Sequence, residues 1–268
     1  MTIPLSGLPL HAHRDLIAEL TGHGYTDVWT AEAGGADAFT PLALAAAWNP
    51  ALRLGTAIVP AFTRGAATIA QSAAALADAA PGRVAIGIGT SSDVIVQRWN
   101  GIRFERPMQR VRDVVRFLRE ALTGQKMSHA YETFTVDGFR LLQVPEVPPR
   151  LLIAALRPGM LRLAGAEADG AIINWLAAAD VPTVTPYVHA GGPDKEIVAR
   201  IFVVPSADEA LARTVGRMAI AGYLTVPVYR AFHEWLGRTE LLGPMWHAWS
   251  AGDRKAAVAA IPDEVVDA

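Results

Sequence analysis

The chain of 268 residues contains no cysteine. That excludes a disulfide framework, a thiolate nucleophile and a zinc–thiolate centre, and it fits a reducing compartment, so the cytoplasm is the expected location. An excess of one charge is also lacking: 24 Lys and Arg stand against 26 Asp and Glu, a net charge of −2. Such a balance leaves no electrostatic footprint for nucleic acid or an anionic membrane, and neither is expected as a partner. Long apolar runs are missing too. The most alanine-rich stretch, Ala66 to Ala80, is interrupted by Thr68, Gln71, Ser72 and Asp78 and reads as a packed helix. The N-terminus, MTIPLSGLPLHAHRDL, has no basic segment leading into an apolar core and makes a poor signal peptide. The 7 histidines show no HExxH spacing and no carboxylate at ligand spacing, so no metal is expected; His11 and His13, the nearest to a pair, read as surface residues. Neither G-x-S-x-G nor G-x-x-x-x-G-K-[ST] occurs, which argues against a serine hydrolase and a nucleotide triphosphatase.

What is present is an alternation of short apolar, β-branched runs with helical patterns. TDVWTAE, Leu52–Pro60, Arg83–Gly89, Arg150–Leu156, Gly170–Leu176 and Ala199–Pro205 are nearly continuous in apolar character, as buried parallel strands are. A helix over His13–His23 ends at Gly24. Another starts at Pro107, gathers Met108, Val111, Val115, Leu118 and Leu122 on one face and stops at Gly124; its arginines, Arg110, Arg112, Arg116 and Arg119, read as a solvated surface. This alternation suits a doubly wound sheet or a (β/α)8 barrel. GIGTSS has no third glycine, and no acidic residue follows a strand about 20 positions on, so it is not a dinucleotide fingerprint, and the barrel is preferred. Residues 1–268 read as one domain, with an excursion at about 123–149 interpreted as an inserted hairpin turning at Asp137–Gly138.

In a barrel, chemistry gathers where strands exit at their C-terminal ends. The first exit carries Glu32, a candidate for acid–base or hydrogen-bonding work as readily as for helix capping. The third run carries Gly87 and Gly89, read as space cleared for a flat ligand, followed by the hydroxyls of Thr90, Ser91 and Ser92. Arg157 and the pair Asn174–Trp175 close later runs. Together these suggest a pocket for a planar, phosphate-bearing cofactor.

LRLGTAIVPAFTR, GRVAIGIGTSSDVIVQRWNG, FERPMQRVRDVVRFLREALTG and ADGAIINWL resemble, in order, the bacterial luciferase-like family, most closely its branch of deazaflavin (coenzyme F420)-dependent oxidoreductases. The resemblance implies a (β/α)8 barrel with an insertion after the fourth strand. It implies a non-prolyl cis peptide at Ala57–Ile58 against which the ring lies, with Gly89, Thr90, Ser91 and Ser92 lining the ring. By the same resemblance Ala154, Ala155, Leu156, Arg157, Asn174 and Trp175 hold the phosphate-bearing tail. Some relatives carry Asp-His where Glu32–Ala33 stand, and some a carboxylate where Ser92 stands; a mechanism needing that imidazole or that carboxylate is not expected here. In the family a further strand and helix follow AWSAGDRKAAVAAIPDEVV, so the expectation is a barrel of about seven strands without its final strand–helix unit, covered by a partner chain, shortened or incomplete.

The implied activity is hydride transfer between coenzyme F420 and a small organic substrate, with Glu32 as polar partner, in a homodimer. Two alternatives stand beside it: an FMN-dependent luciferase-like monooxygenase, and a non-catalytic cofactor- or partner-binding protein. For the dimer, the Trp246–Trp249 region or the helix after Glu32 is a candidate surface.

Overall fold

A computed structural model describes residues 1–268. In chain order its elements are α1 (Arg14–Glu19), β1 (Asp27–Thr30), α2 (Phe39–Trp48), β2 (Arg53–Pro60), α3 (Ala66–Ala79), β3 (Val84–Gly89), α4 (Pro107–Ala121), β4 (Met127–Ala130), β5 (Thr135–Phe139), β6 (Arg150–Ala154), α5 (Pro158–Glu167), β7 (Gly170–Asn174), α6 (Val181–His189) and β8 (Glu196–Arg200). Five helices follow: α7 (Glu209–Leu224), α8 (Pro227–Trp235), α9 (Thr239–Ser250), α10 (Arg254–Ala259) and α11 (Asp263–Val266). No helix is long and apolar enough to cross a membrane.

Six strands form one parallel sheet in the order β1-β2-β3-β6-β7-β8, the curved sheet of an incomplete barrel. The N-terminal segment adds a seventh, minimal position: Met1 and Ile3 bracket Trp29 through backbone hydrogen bonds of 2.8 Å, and Thr2 forms a single parallel bridge to Trp29. At the base, where strands begin, Arg53 of β2 reaches Glu196 of β8 through a two-pronged ion pair of 2.6 and 2.9 Å.

Strand alternation divides the apolar residues between two faces. Ile86 and Ile88 point to the helices and join a core of 45 buried residues; Ala85 points inward and packs with Leu152 and Ile172. Gly87 shares that inner face. A methyl group there would lie closer than 3.0 Å to the Thr56 carbonyl oxygen and to Ile172 Cδ1; one on Gly89 would meet Ile58 Cγ1 at 2.9 Å and Ala154 Cβ at 3.2 Å. The glycine pair therefore admits the chain's own side chains and backbone, which corrects the view that it clears space for a ligand.

Other expectations are corrected as well. The apolar run Ala199–Pro205 is strand only to Arg200, because its ladder partner β7 ends opposite at Asn174; Ile201 and Val203 beyond it are 79% and 76% exposed. The insertion is a hairpin, β4–β5, but it turns between Ala130 and Thr135. Asp137–Gly138 lies inside β5 as an irregularity, with Gly138 at φ 67° and its N–H on Ser128 Oγ. The helix over His13–His23 is a single short α-helical segment flanked by tighter turns, ending at Gly24 with φ 82°. His13 is no surface residue: it is fully buried, accepting the Leu5 N–H at Nε2. Met108 stays exposed, and the arginines of α4 are engaged instead of solvated: Arg112, Arg116 and Arg119 pair with Glu132, Glu167 and Asp169, and Arg110 donates to the Ala61 carbonyl beneath Phe134. The C-terminal helices enclose their own small core around Leu224, Met245 and Trp246, so Trp246 is buried inside the chain, its indole N–H on the Leu224 carbonyl.

Candidate functional site

The expected positions fall at the C-terminal ends of the strands, in three neighbourhoods. The first joins β1, β2 and β3. The Ala57–Ile58 peptide is cis, and the register between β2 and β3 shifts between Thr56 and Val59. Thr56 and Val59 on either side are fully buried, whereas Ala57 and Ile58 are only half-buried, so the bulge presents a small apolar surface at the strand exits. Ile58 also plugs the notch at Gly89, which makes this surface continuous with the barrel interior.

Glu32 is tied to the bulge twice. Its N–H donates to the Ile58 carbonyl at 3.1 Å, and its carboxylate takes Arg64 Nε at 2.8 Å and Nη2 at 2.6 Å. Arg64 also reaches Asp37 at 3.3 Å and lies over the Phe39 ring. Hydrogen bonding to Glu32 raises the Arg64 pKa against a smaller opposing effect of burial. Partial burial opposes ionisation of Asp37, but bonds from Thr40 and Phe39 together with Arg64 outweigh it and hold the carboxyl below its usual range. Glu32 is thus a fixed hydrogen-bond acceptor. Sequence reasoning missed Arg64, although it ends the quoted run AFTR; nothing in that run shows that its side chain folds back across the β1 exit.

After β3 the backbone breaks its strand at once. Ser91 has φ 61°, Thr90 Oγ1 donates to the Ser91 carbonyl at 3.1 Å, and Ser92 Oγ accepts from Ile95 N–H at 3.3 Å to open a wide helical turn over Val94–Trp99. The Ala61 N–H binds the Gly89 carbonyl at 2.9 Å, so the β2 and β3 exits are held side by side.

The second neighbourhood is Ala154–Arg157. Ala154 approaches the inner face of Gly89, Ala155 is buried, Leu156 half-buried and Arg157 exposed, with no carboxylate at ion-pair distance. Pro158 opens α5 directly behind it, so the free N–H groups of a ten-residue helix face the same exit, an arrangement that favours anions.

Asn174 and Trp175 form a third neighbourhood of their own. Trp175, at φ 54°, stacks on Phe202 with centroids 4.2 Å apart and packs against Tyr223; Asn174 Nδ2 donates to Tyr229 Oη at 3.2 Å. Burial, the largest influence, raises the Tyr229 pKa. These contacts join both residues to the C-terminal helices instead of to Ala154–Arg157. Tyr229, His233 and Arg238 on that side carry no motif, and only the folded chain brings them to β7.

The family model for luciferase-like monooxygenase matches residues 2–268. A candidate coenzyme F420-dependent oxidoreductase of Mycobacterium tuberculosis is 28% identical over 97% of this chain and 83% of its own length. Among solved structures, the coenzyme F420-dependent tetrahydromethanopterin reductase of Methanopyrus kandleri superposes with a TM-score of 0.80 at 19% identity, covering 99% of this chain and 84% of that one. An F420-dependent secondary alcohol dehydrogenase in complex with an F420-acetone adduct gives 0.76 at 17% identity, over 97% and 80%. The likeness to both structures is one of fold, and the match along nearly the whole sequence places the chain in the luciferase-like monooxygenase family.

Proposed function

We propose that the chain is an oxidoreductase that transfers a hydride between deazaflavin coenzyme F420 and a small organic substrate. The observation that carries this reading is the register bulge between Thr56 and Val59, which leaves Ala57 and Ile58 as a half-buried apolar floor set beside hydroxyls and a helix N-terminus. The similarity to a candidate F420-dependent oxidoreductase supports it. The residues fit such a cofactor. Ala57 and Ile58 would bear a planar ring, Thr90, Ser91 and Ser92 offer hydroxyl and backbone groups to its edge, and Ala154, Ala155, Leu156 and Arg157 with the start of α5 would hold phosphate. When bound, the deazaflavin supplies the two-electron chemistry. The chain's own part is to bind, orient and exclude water. Glu32, locked by Arg64, offers a fixed acceptor beside the bulge that can orient a donor group.

Titration with coenzyme F420 and with FMN, followed by quenching of tryptophan fluorescence, tests the reading. F420 should bind the more tightly, and Arg157→Ala should weaken it about tenfold, as the loss of one charge-assisted hydrogen bond does. Tighter binding of FMN would overturn the proposal in favour of oxygen-activating chemistry on the same scaffold.

A further inference from the structure

A cavity of about 800 Å³ lies between the exits of β7 and β8 and helices α7 and α9. Its wall is mainly apolar, with Phe202, Val203, Val215, Ala219 and Leu241 in it. Three arginines also line it, and two of them are spent. Arg213 pairs with Asp267 at 3.0 Å, and Arg238 pairs with Asp180 at 2.8 Å. Arg200, the last residue of β8 and the register partner of Asn174, is different. It is half-buried, its side chain donates to no group of the protein, and no carboxylate lies at ion-pair distance. Its guanidinium carbon sits over the Phe202 ring, 4.4 Å from the centre. Phe202 is stacked in turn on Trp175, with centroids 4.2 Å apart, and His233 Nε2 donates to the Trp175 carbonyl oxygen at 2.9 Å. Stacking engages the face of a guanidinium and leaves the N–H groups at its edge to other partners.

We propose that this cavity binds a monocarboxylate with an apolar body, its carboxylate on the Arg200 guanidinium and its body against the apolar wall. A charge held partly out of water is stabilised by a partner of opposite sign, and the planar fork of a guanidinium matches the two oxygens of a carboxylate. The acidic residues of the lining leave that place open: Asp267 is engaged by Arg213, and Glu264 is exposed and pairs with no arginine. One uncompensated cation matches one negative charge. An alcohol of the same shape brings no charge to Arg200, and an ammonium meets it with like charge. The carboxylate needs only this one group, so the site does not depend on the buried polar atoms nearby. It also does not depend on which cofactor lies on the Ala57–Ile58 floor.

The test is a binding titration on the full chain without added cofactor, using hydrocinnamate, hydrocinnamyl alcohol, hydrocinnamylamine and acetate, read by ligand-observed NMR. Hydrocinnamate should bind about tenfold tighter than the alcohol and the amine, as a charge-assisted hydrogen bond allows, and acetate, which lacks the apolar body, should bind as weakly. Arg200→Gln should bring hydrocinnamate down to the affinity of the alcohol, and Arg200→Lys should restore part of the difference. Arg157→Ala should leave hydrocinnamate binding unchanged, which separates this site from the exit that opens α5. Ala219→Phe, which narrows the cavity and leaves Arg200 in place, should weaken hydrocinnamate and alcohol alike, and circular dichroism reports whether each variant is folded. The proposal is overturned if hydrocinnamate binds no tighter than the alcohol or acetate, if folded Arg200→Gln or Ala219→Phe retains it at the parent affinity, or if Arg157→Ala abolishes it.

Discussion

Replacing Gly87 with alanine separates the two uses to which a glycine in a barrel strand can be put. The added methyl group would come closer than 3.0 Å to the Thr56 carbonyl oxygen, which is backbone and cannot swing aside, and to Ile172 Cδ1. Thr56 and Gly87 are also joined reciprocally: Thr56 Oγ1 donates to the Gly87 carbonyl at 3.0 Å and accepts the Gly87 N–H at 2.8 Å, both in the buried interior. Overpacking a tight core costs about 1–3 kcal/mol. Each strained hydrogen bond adds about 1 kcal/mol at most, so a total near ~4 kcal/mol is expected. At roughly 2–4 °C per kcal/mol for a chain of this size, Tm should fall by about 8–16 °C. Gly89→Ala makes the comparison, since its methyl meets Ile58 Cγ1 at 2.9 Å and Cδ1 at 3.1 Å, atoms of a side chain that can turn aside. It should cost only about 1 kcal/mol in stability while displacing the bulge and weakening ligand binding. Urea unfolding of both variants, with binding titrations alongside, measures the two effects. If Gly87→Ala unfolds within about 0.5 kcal/mol of the parent yet loses ligand binding, the glycine serves the ligand and the packing argument is wrong.

His233 gives a pH dependence. Folding lowers its pKa from 6.5 to about 4, so between those values the unfolded chain holds a proton that the folded chain does not. Stability must therefore decline as pH falls through that window, by on the order of 3 kcal/mol in all; His233→Gln should flatten this part of the profile in urea unfolding at pH 4 to 7. Asp113 is 2% exposed and accepts the Thr133 N–H at 2.8 Å and Thr133 Oγ1 at 2.9 Å, which ties the hairpin to α4. Asp113→Ala should cost about 3 kcal/mol and speed amide exchange in β4 and β5; unchanged exchange there would mean the aromatic packing around Phe117 holds the hairpin alone.

The sheet was legible because a strand covered on both faces must be apolar at every position, a signal that survives without neighbours. The same signal misled at Ile201–Pro205, where the residues are apolar but the ladder partner ends at Asn174, a fact that lies on another strand. The hairpin turn was misplaced because Asp137–Gly138 has turn chemistry, yet Gly138 uses its positive φ for an irregularity within β5. In the candidate site the exits themselves could be read from chain order and resemblance. The fork between Glu32 and Arg64 spans 32 positions, and the His233–Trp175 contact spans 58; pairings at such separations leave no periodic trace. The glycines at 87 and 89 were recognisable as sites of close approach, but only coordinates tell what approaches.

The fork between Arg53 and Glu196 closes a loop of 143 residues. On a ribosome, β2 is made long before β8, and until Glu196 emerges Arg53 has Asp27, at 3.5 Å, and the face of Trp29 for company. The base of the sheet is therefore sealed by the last strand to arrive, after the strands between have paired with one another. Contacts made that late have little share in the folding barrier and much in the escape from the finished state. Weakening the pair should therefore raise the rate at which the curved sheet opens and leave the rate at which it is built nearly unchanged.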